Sequence, residues 1–238
     1  MHTYSAAWAL FTRLGEAQIL LPAMAVALLW LVRDPNNRPL ALAWIVATVV
    51  ATVITTASKM AFIGWEVGYA PLDYTGVSGH SMFASVVLPV LARIAAGRAP
   101  RPWPRLAIGF GYLLAAAIAY SRVETGAHSV FEAVIGFVLG GAAAAVALRG
   151  TQAPQAPAPV WLAVGLLAWL MVLPMGAPPS RTHDWVTQLS LRASGRGVPY
   201  TRHAMHRQAQ RRQLQPSGEA GLGRRLDAPA AQGQPEPV

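Results

Sequence analysis

The residues best suited to chemistry in this chain are Lys59, the triplet Ser78-Gly79-His80 in "VSGHSMFA", and Ser121-Arg122, His128 and Glu132 in "SRVETGAHSVFE". His80 and His128 each stand where an apolar run begins, so each imidazole is expected at a helix N-terminus, where backbone N–H groups and the helix dipole favour an anion. Two such starts with Lys59 and Arg122 nearby describe a site for an anion the size of phosphate. His128 and Glu132 are four apart, one helical turn on one face, with the glutamate deeper in the apolar run. A carboxylate accepting from one ring nitrogen fixes the tautomer and strengthens the other nitrogen as a nucleophile. Singly, each residue has a structural explanation. The convergence of two histidines, an arginine and a lysine is what points to function.

The elements that must position them are membrane spans. Of 238 residues, 54% are hydrophobic and only 12% charged, which excludes an ordinary soluble domain of this length. Six apolar runs approach the ~20 residues needed to cross a hydrocarbon core: 17–32, 39–57, 81–97, 106–120, 127–148 and 159–177. Runs such as "VATVVATVI" have no charged face. Their composition favours helices over alternating strands, so the expected fold is an all-α polytopic bundle of about six transmembrane helices. There is no cysteine, hence no disulfide and no thiolate metal site. The N-terminal residues lack the pattern of a cleaved signal peptide, so the first span is expected to remain as an anchor.

Six crossings alternate the loops between two sides. One side receives 58–77, which ends at the SGH triplet, and 121–126. The other receives Arg33, Arg38, Arg98, Arg101, Arg105 and Arg149. The positive-inside rule makes that second side cytoplasmic, so the chemistry is expected to face the periplasm or exterior from an inner (plasma) membrane. Phe62, Ile63, Trp65 and Tyr69 in the first loop suit a membrane interface. Nine of the nineteen Lys and Arg residues lie after Ser180 and oppose this orientation if six spans exist. The chain accordingly divides into a membrane domain, 1–180, and a basic, partly disordered tail, 181–238, in which "THDWVTQLSLRAS" has the apolar spacing of a short interfacial helix. The tail's charge suits anionic headgroups or nucleic acid. Its composition reads as a solvated end, and no nucleic-acid partner is expected.

The motifs resemble those of the type 2 phosphatidic acid phosphatase (PAP2) superfamily. "SRVETGAHSVFE" is similar to its third signature, an SR, five residues, His, three residues, then Asp. "VSGH" resembles its second, PSGH, and Lys59 stands where the first, Lys, six residues, Arg-Pro, would begin. The resemblance implies a PAP2/haloperoxidase-like helical core and metal-free, cofactor-free hydrolysis of a lipid phosphate or pyrophosphate through a phosphohistidine. It further implies His128 as nucleophile, Glu132 as its orienting acid and His80 as general acid, with Lys59, Ser78, Gly79 and Arg122 holding the phosphoryl oxygens. Phosphatidic acid, phosphatidylglycerol phosphate, undecaprenyl pyrophosphate and lipid A phosphates are the substrates it suggests.

Three positions depart from the signatures. Glu66-Val67 replaces Arg-Pro, which removes a phosphate-binding cation and, if Glu66 points inward, adds a repelling charge. Val77 replaces a proline, and Glu132 replaces aspartate. The first departure raises an alternative, a catalytically impaired PAP2-like protein that binds lipid phosphates or a partner. A third reading, a metal enzyme built on His80, His128, Glu124 or Glu132, is less economical, because the signatures explain these residues without a metal.

Overall fold

The computed structural model describes residues 8, 11–97, 99–149, 164–165, 168–169 and 181–214. Helix α1 (Ala17–Leu31) follows a 3-10 turn at Arg13–Gly15. A turn at Pro35–Asn37, capped by the Asp34 carboxylate accepting from the Asn36 N–H at 2.9 Å, reverses the chain into α2 (Arg38–Trp65). Then come α3 (Gly79–Ala96), α4 (Trp103–Glu124) and α5 (Val130–Leu148). Prolines in the first turns of α2 and α4 occupy positions whose N–H would lack a helical partner in any case.

The described residues form an all-helical fold, and four of their helices are long and apolar enough to cross a membrane: α2 with its preceding turn, α3, α4 and α5. The expected count of six is not reached among them. Helix α1 has 15 residues, about 22 Å at 1.5 Å per residue, which falls short of a full crossing. The sixth expected run, 159–177, lies outside the described residues except at 164, 165, 168 and 169.

Helix α3 is the centre of the bundle, with Met82, Ala84, Val86, Val87 and Val90 fully enclosed. Its neighbours bury one face and expose the other: Val46, Val49 and Val53 of α2, Phe110 and Leu113 of α4, and Val134 and Val138 of α5 all point outward. Such a continuous apolar belt is stable against hydrocarbon and not against water. Close packing of α5 on α3 depends on two glycines. A Cβ at Gly140 would stand 2.1 Å from the Met82 carbonyl oxygen, and one at Gly136 would stand 2.5 Å from that of Ser78, so small residues let the backbones meet. Within α3, Pro89 interrupts the hydrogen-bond ladder. In the turn before it the buried Trp44 indole donates to the Val86 carbonyl at 3.0 Å.

Helix ends depart from the hydropathy boundaries in two places that matter. Lys59, expected in a loop, lies on α2, which continues to Trp65. The helix stops where Glu66 turns left-handed (φ 61°), with the Glu66 and Val67 N–H groups bonded back to Phe62 and Ala61. His128, expected in the opening turn of a helix, stands just before one: Ser129 caps α5 and pairs reciprocally with Glu132 in a capping box.

The segment after Ser180 carries two helices, α6 (Thr182–Ser194) and α7 (Arg202–Leu214); 215–238 lie outside the described residues. Helix α6 is the helix anticipated from its apolar spacing. It packs along α2, where the Ser190 hydroxyl donates to the Met60 carbonyl at 3.0 Å and Gly64 leaves room for it. Met205 of α7 is buried with Phe62 and Ile63, and the Tyr200 N–H donates to the Ile63 carbonyl at 3.0 Å. Phe62 and Ile63, expected at a lipid interface, are thus covered by protein.

Candidate active site

The C-terminal end of α2, the N-terminal end of α3, the C-terminal end of α4 and the N-terminal end of α5 meet at one end of the bundle. They enclose a cavity of about 480 Å³. Lys59, Gly79, His80, Arg122 and His128 line it. Glu132 and Ser78 are fully buried behind it.

Glu132 is the organising group. One carboxylate oxygen accepts from the N–H and hydroxyl of Thr75, both at 2.6 Å. The other contacts His128 Nδ1 at 2.7 Å, the Ser129 N–H at 3.1 Å and Arg202 Nη2 at 2.8 Å. A buried carboxylate with every lone pair engaged is held in one orientation and stays charged. It takes the Nδ1 proton of His128 in a hydrogen bond and leaves Nε2 as the free nitrogen. Burial pushes the His128 imidazole below its ordinary value of 6.5; Lys59 and Arg122 push the same way, against the Glu132 hydrogen bond. His128 is therefore neutral, with an available lone pair, at neutral pH.

The SGH triplet reaches the cavity because the chain before it is fastened on both sides. The Ser58 hydroxyl accepts from the Val77 N–H at 3.0 Å, and the Glu132 carbonyl accepts from the Ser78 N–H at 3.2 Å. Gly76, at φ +132°, lies against the Cα of Lys59, where a side chain would collide. The Ser78 hydroxyl accepts from the Ser81 hydroxyl at 3.0 Å and caps α3. Ser78 thus does not line the cavity and positions the helix start instead. At Gly79 an added Cβ would meet only Lys59 Nζ, at 3.8 Å, so the cavity side of that turn is open.

Among the described residues, the Lys59 ammonium and the His80 ring have no hydrogen bond, and Arg122 Nε is buried without a partner while Nη1 donates to Thr12 at 2.9 Å. Buried donors are normally satisfied. A cavity edged by an ammonium, an unpaired guanidinium N–H, a helix start and two imidazoles suits a phosphoryl group, which supplies the missing acceptors. No three His, Asp or Glu side chains among the described residues converge in a metal-ligating arrangement.

Glu66, which replaces the signature arginine, does not face this cavity; it pairs with Arg196 at 2.6 Å, both about a third exposed. Two residues of the site carried no local signal. Thr75 and Arg202 bond Glu132 across 57 and 70 residues of sequence, and only the fold brings them together.

A polytopic helical membrane protein with an anion cavity at one end of its bundle, and a carboxylate-oriented histidine within it, is the class that fold and site define. The chain matches the PAP2 superfamily model over residues 56–155, the stretch that contains every residue of the three motifs. Over 206 residues it is 32% identical to an uncharacterized 22.5 kDa protein in the cps region of Klebsiella pneumoniae, covering 85% of this chain and 99% of that relative. No solved structure matches it significantly. The protein belongs to the PAP2 superfamily, and this membership supports a function of phosphatase type.

Proposed function

We propose that the protein is an integral membrane phosphatase that removes a phosphate or pyrophosphate group from a lipid headgroup through a phosphohistidine, without metal or cofactor. The observation that carries this reading is the cavity itself, where His128 Nε2, oriented through Glu132, faces unpaired cationic donors. His128 Nε2 attacks phosphorus, and the bond to the leaving oxygen breaks as that oxygen takes the proton of His80. Positive charge developing on His128 is offset by Glu132. Lys59, Arg122 and the N–H groups at the start of α3 stabilise the equatorial oxygens, which is the main task in phosphoryl transfer. Water, deprotonated by His80, then attacks the phosphohistidine, releasing inorganic phosphate and restoring both imidazoles. Gly79 keeps the helix start open to the phosphoryl group, and Ser78 acts by capping that helix.

Membership and apolar helices favour a bilayer-embedded enzyme. We place it in the inner (plasma) membrane with the cavity facing away from the cytoplasm, because Arg33, Arg38, Arg101, Arg105 and Arg149 gather at the opposite end of the bundle. The test is phosphate release by the full chain in detergent from phosphatidic acid, phosphatidylglycerol phosphate, undecaprenyl pyrophosphate and lipid A. At least one is hydrolysed in the presence of EDTA, vanadate inhibits, and His128→Ala abolishes release. Absence of release from all four, or an H128A variant equal to wild type, refutes the proposal.

A further inference from the structure

The cavity has a wall that the three signatures do not supply. Thr187 of α6, Pro199 and Tyr200 of the connection, and Arg202 at the start of α7 all line it. Arg202 reaches furthest in. Its Nη2 donates to Glu132 Oε2 at 2.8 Å and to the Thr75 hydroxyl at 3.2 Å, and its Nη1 donates to the Asp73 carbonyl at 3.2 Å and pairs with the Asp73 carboxylate. One turn along α7, His206 Nε2 contacts the other Asp73 oxygen at 2.6 Å. Asp73 sits at φ 49° in the turn that leads into Thr75. One guanidinium thus joins the turn before the SGH triplet to the carboxylate behind the nucleophile.

Both terminal nitrogens of Arg202 are spent on protein acceptors, and two carboxylates offset its charge. That arrangement suits a clamp on Glu132 better than a ligand of the phosphoryl group. We propose that Arg202 is a positioning residue: it fixes Glu132 at the same oxygen that holds His128 Nδ1, so the C-terminal segment completes the active site. This rests on His128 being the nucleophile.

The clamp has an electrical consequence. His128 is faced by Lys59 from α2, His80 from α3, Arg122 from α4, Glu132 from α5 and, across Glu132, by Arg202 with its partner Asp73. Removing the Arg202 charge leaves Glu132 freer to hold a proton on His128, so the imidazole titrates at higher pH. With His128 and Arg202 on the same carboxylate oxygen, the rise is about one pH unit. A residue that merely supported the fold would not move this titration.

The test is an NMR titration of the His128 ring in the full chain in detergent micelles, beside phosphate release across pH. Arg202→Gln, close in size and uncharged, raises the His128 titration by about one unit and lowers kcat roughly tenfold or more, with little change in KM. Arg202→Lys restores the titration and only part of kcat, because an ammonium cannot span Asp73, Thr75 and Glu132 together. Arg196→Ala, which removes the same charge from the same segment at Glu66, changes neither. If R202Q leaves titration and kcat at wild-type values, or raises kcat as release of a latch would, the inference is overturned. Should R202Q unfold, R202K decides: a lowered kcat with the wild-type titration supports the clamp, and a wild-type kcat refutes it. If wild type releases no phosphate while R202Q still moves the titration, the phosphatase reading fails and the clamp stands.

Discussion

Replacing Glu132 with glutamine keeps the size of the side chain and removes its charge, which isolates the electrostatic part of its role. In wild type the carboxylate accepts from Thr75, Ser129 and Arg202 while holding His128 Nδ1 at 2.7 Å. Forming the P–N bond makes the imidazole cationic. With charge centres about 4 Å apart and an effective dielectric near 20, the attraction is about 4 kcal/mol, so its loss slows the chemical step roughly 10³-fold. Geometry adds to this. A glutamine amide has one acceptor where the carboxylate has two, so its NH₂ must face either the Thr75 N–H or the Ser129 N–H and Arg202. In the second arrangement it donates to His128 Nδ1 and moves the ring proton to Nε2, the nitrogen that must attack. The assay is single-turnover phosphate release from the best substrate, with thermal unfolding as a control for fold. The expected result is a large fall in kcat with KM nearly unchanged, since the interaction strengthens only as charge develops. An E132Q variant that is folded and within about tenfold of wild-type kcat would show that Glu132 does not stabilise a cationic His128.

The pH profile should have an acidic limb set by His128. Attack requires the neutral ring, and burial lowers its titration, so this limb falls away below a midpoint under pH 6.5, while a basic limb marks loss of the proton that His80 must give; an acidic midpoint above that value refutes the assignment. Gly140→Val places a Cβ 2.1 Å from the Met82 carbonyl and 2.3 Å from the Ser85 hydroxyl, forcing α5 from α3 at a cost of about 1–3 kcal/mol or more. Unfolding in detergent should reveal it, whereas Gly141→Ala, meeting only the edge of Tyr112 at 3.4 Å, should be tolerated. The chain has no cysteine, so single cysteines report topology directly. A membrane-impermeant maleimide should label Glu124→Cys, at the cavity end, in intact cells and Pro100→Cys only after permeabilisation; the reverse pattern inverts the orientation.

The bundle and the heart of the site were legible because they are local in sequence. The His128–Glu132 interval and the helix start at Gly79 are short-range facts, and apolar runs mark spans well. Boundaries were less legible. Hydropathy locates where apolar residues stop, whereas a helix stops where its hydrogen bonds do, so α2 ran past Ser58 and carried Lys59 with it. At the start of α5 the apolar run drew the expected boundary back to 127, although Ser129 and Glu132 already spelled a capping box. The role assigned to Ser78 was shifted for a similar reason, since a serine at that place caps the helix that presents Gly79 and His80. Thr75 and Arg202 were beyond sequence reasoning altogether, because no pattern of spacing links them to Glu132.

The departure at position 66 acquires a different meaning once the chain is followed in space. Read along the sequence, Glu66 removes a cation from the phosphate and leaves a negative charge behind. In the fold, α2 ends there in a left-handed residue, and the carboxylate turns to Arg196 at the foot of the C-terminal segment. That ion pair is exposed by about a third on each side and is worth no more than about 1 kcal/mol, so it does not hold the segment in place. The buried cluster of Phe62, Ile63 and Met205, the Tyr200–Ile63 backbone bond and the grip of Arg202 and His206 on Asp73 do so. Glu66 is instead compatible with a basic segment lying across the end of α2, where an arginine would repel Arg196. On this view the acid at 66 belongs with the C-terminal segment, whose Arg202 enters the site to hold Glu132. Glu66→Arg in the otherwise wild-type chain should therefore impair activity rather than improve it, despite restoring the signature residue. A gain in kcat from that substitution, measured on the same lipid phosphates, would show that the signature cation is missed at the end of α2 and that Glu66 has no part in seating the segment.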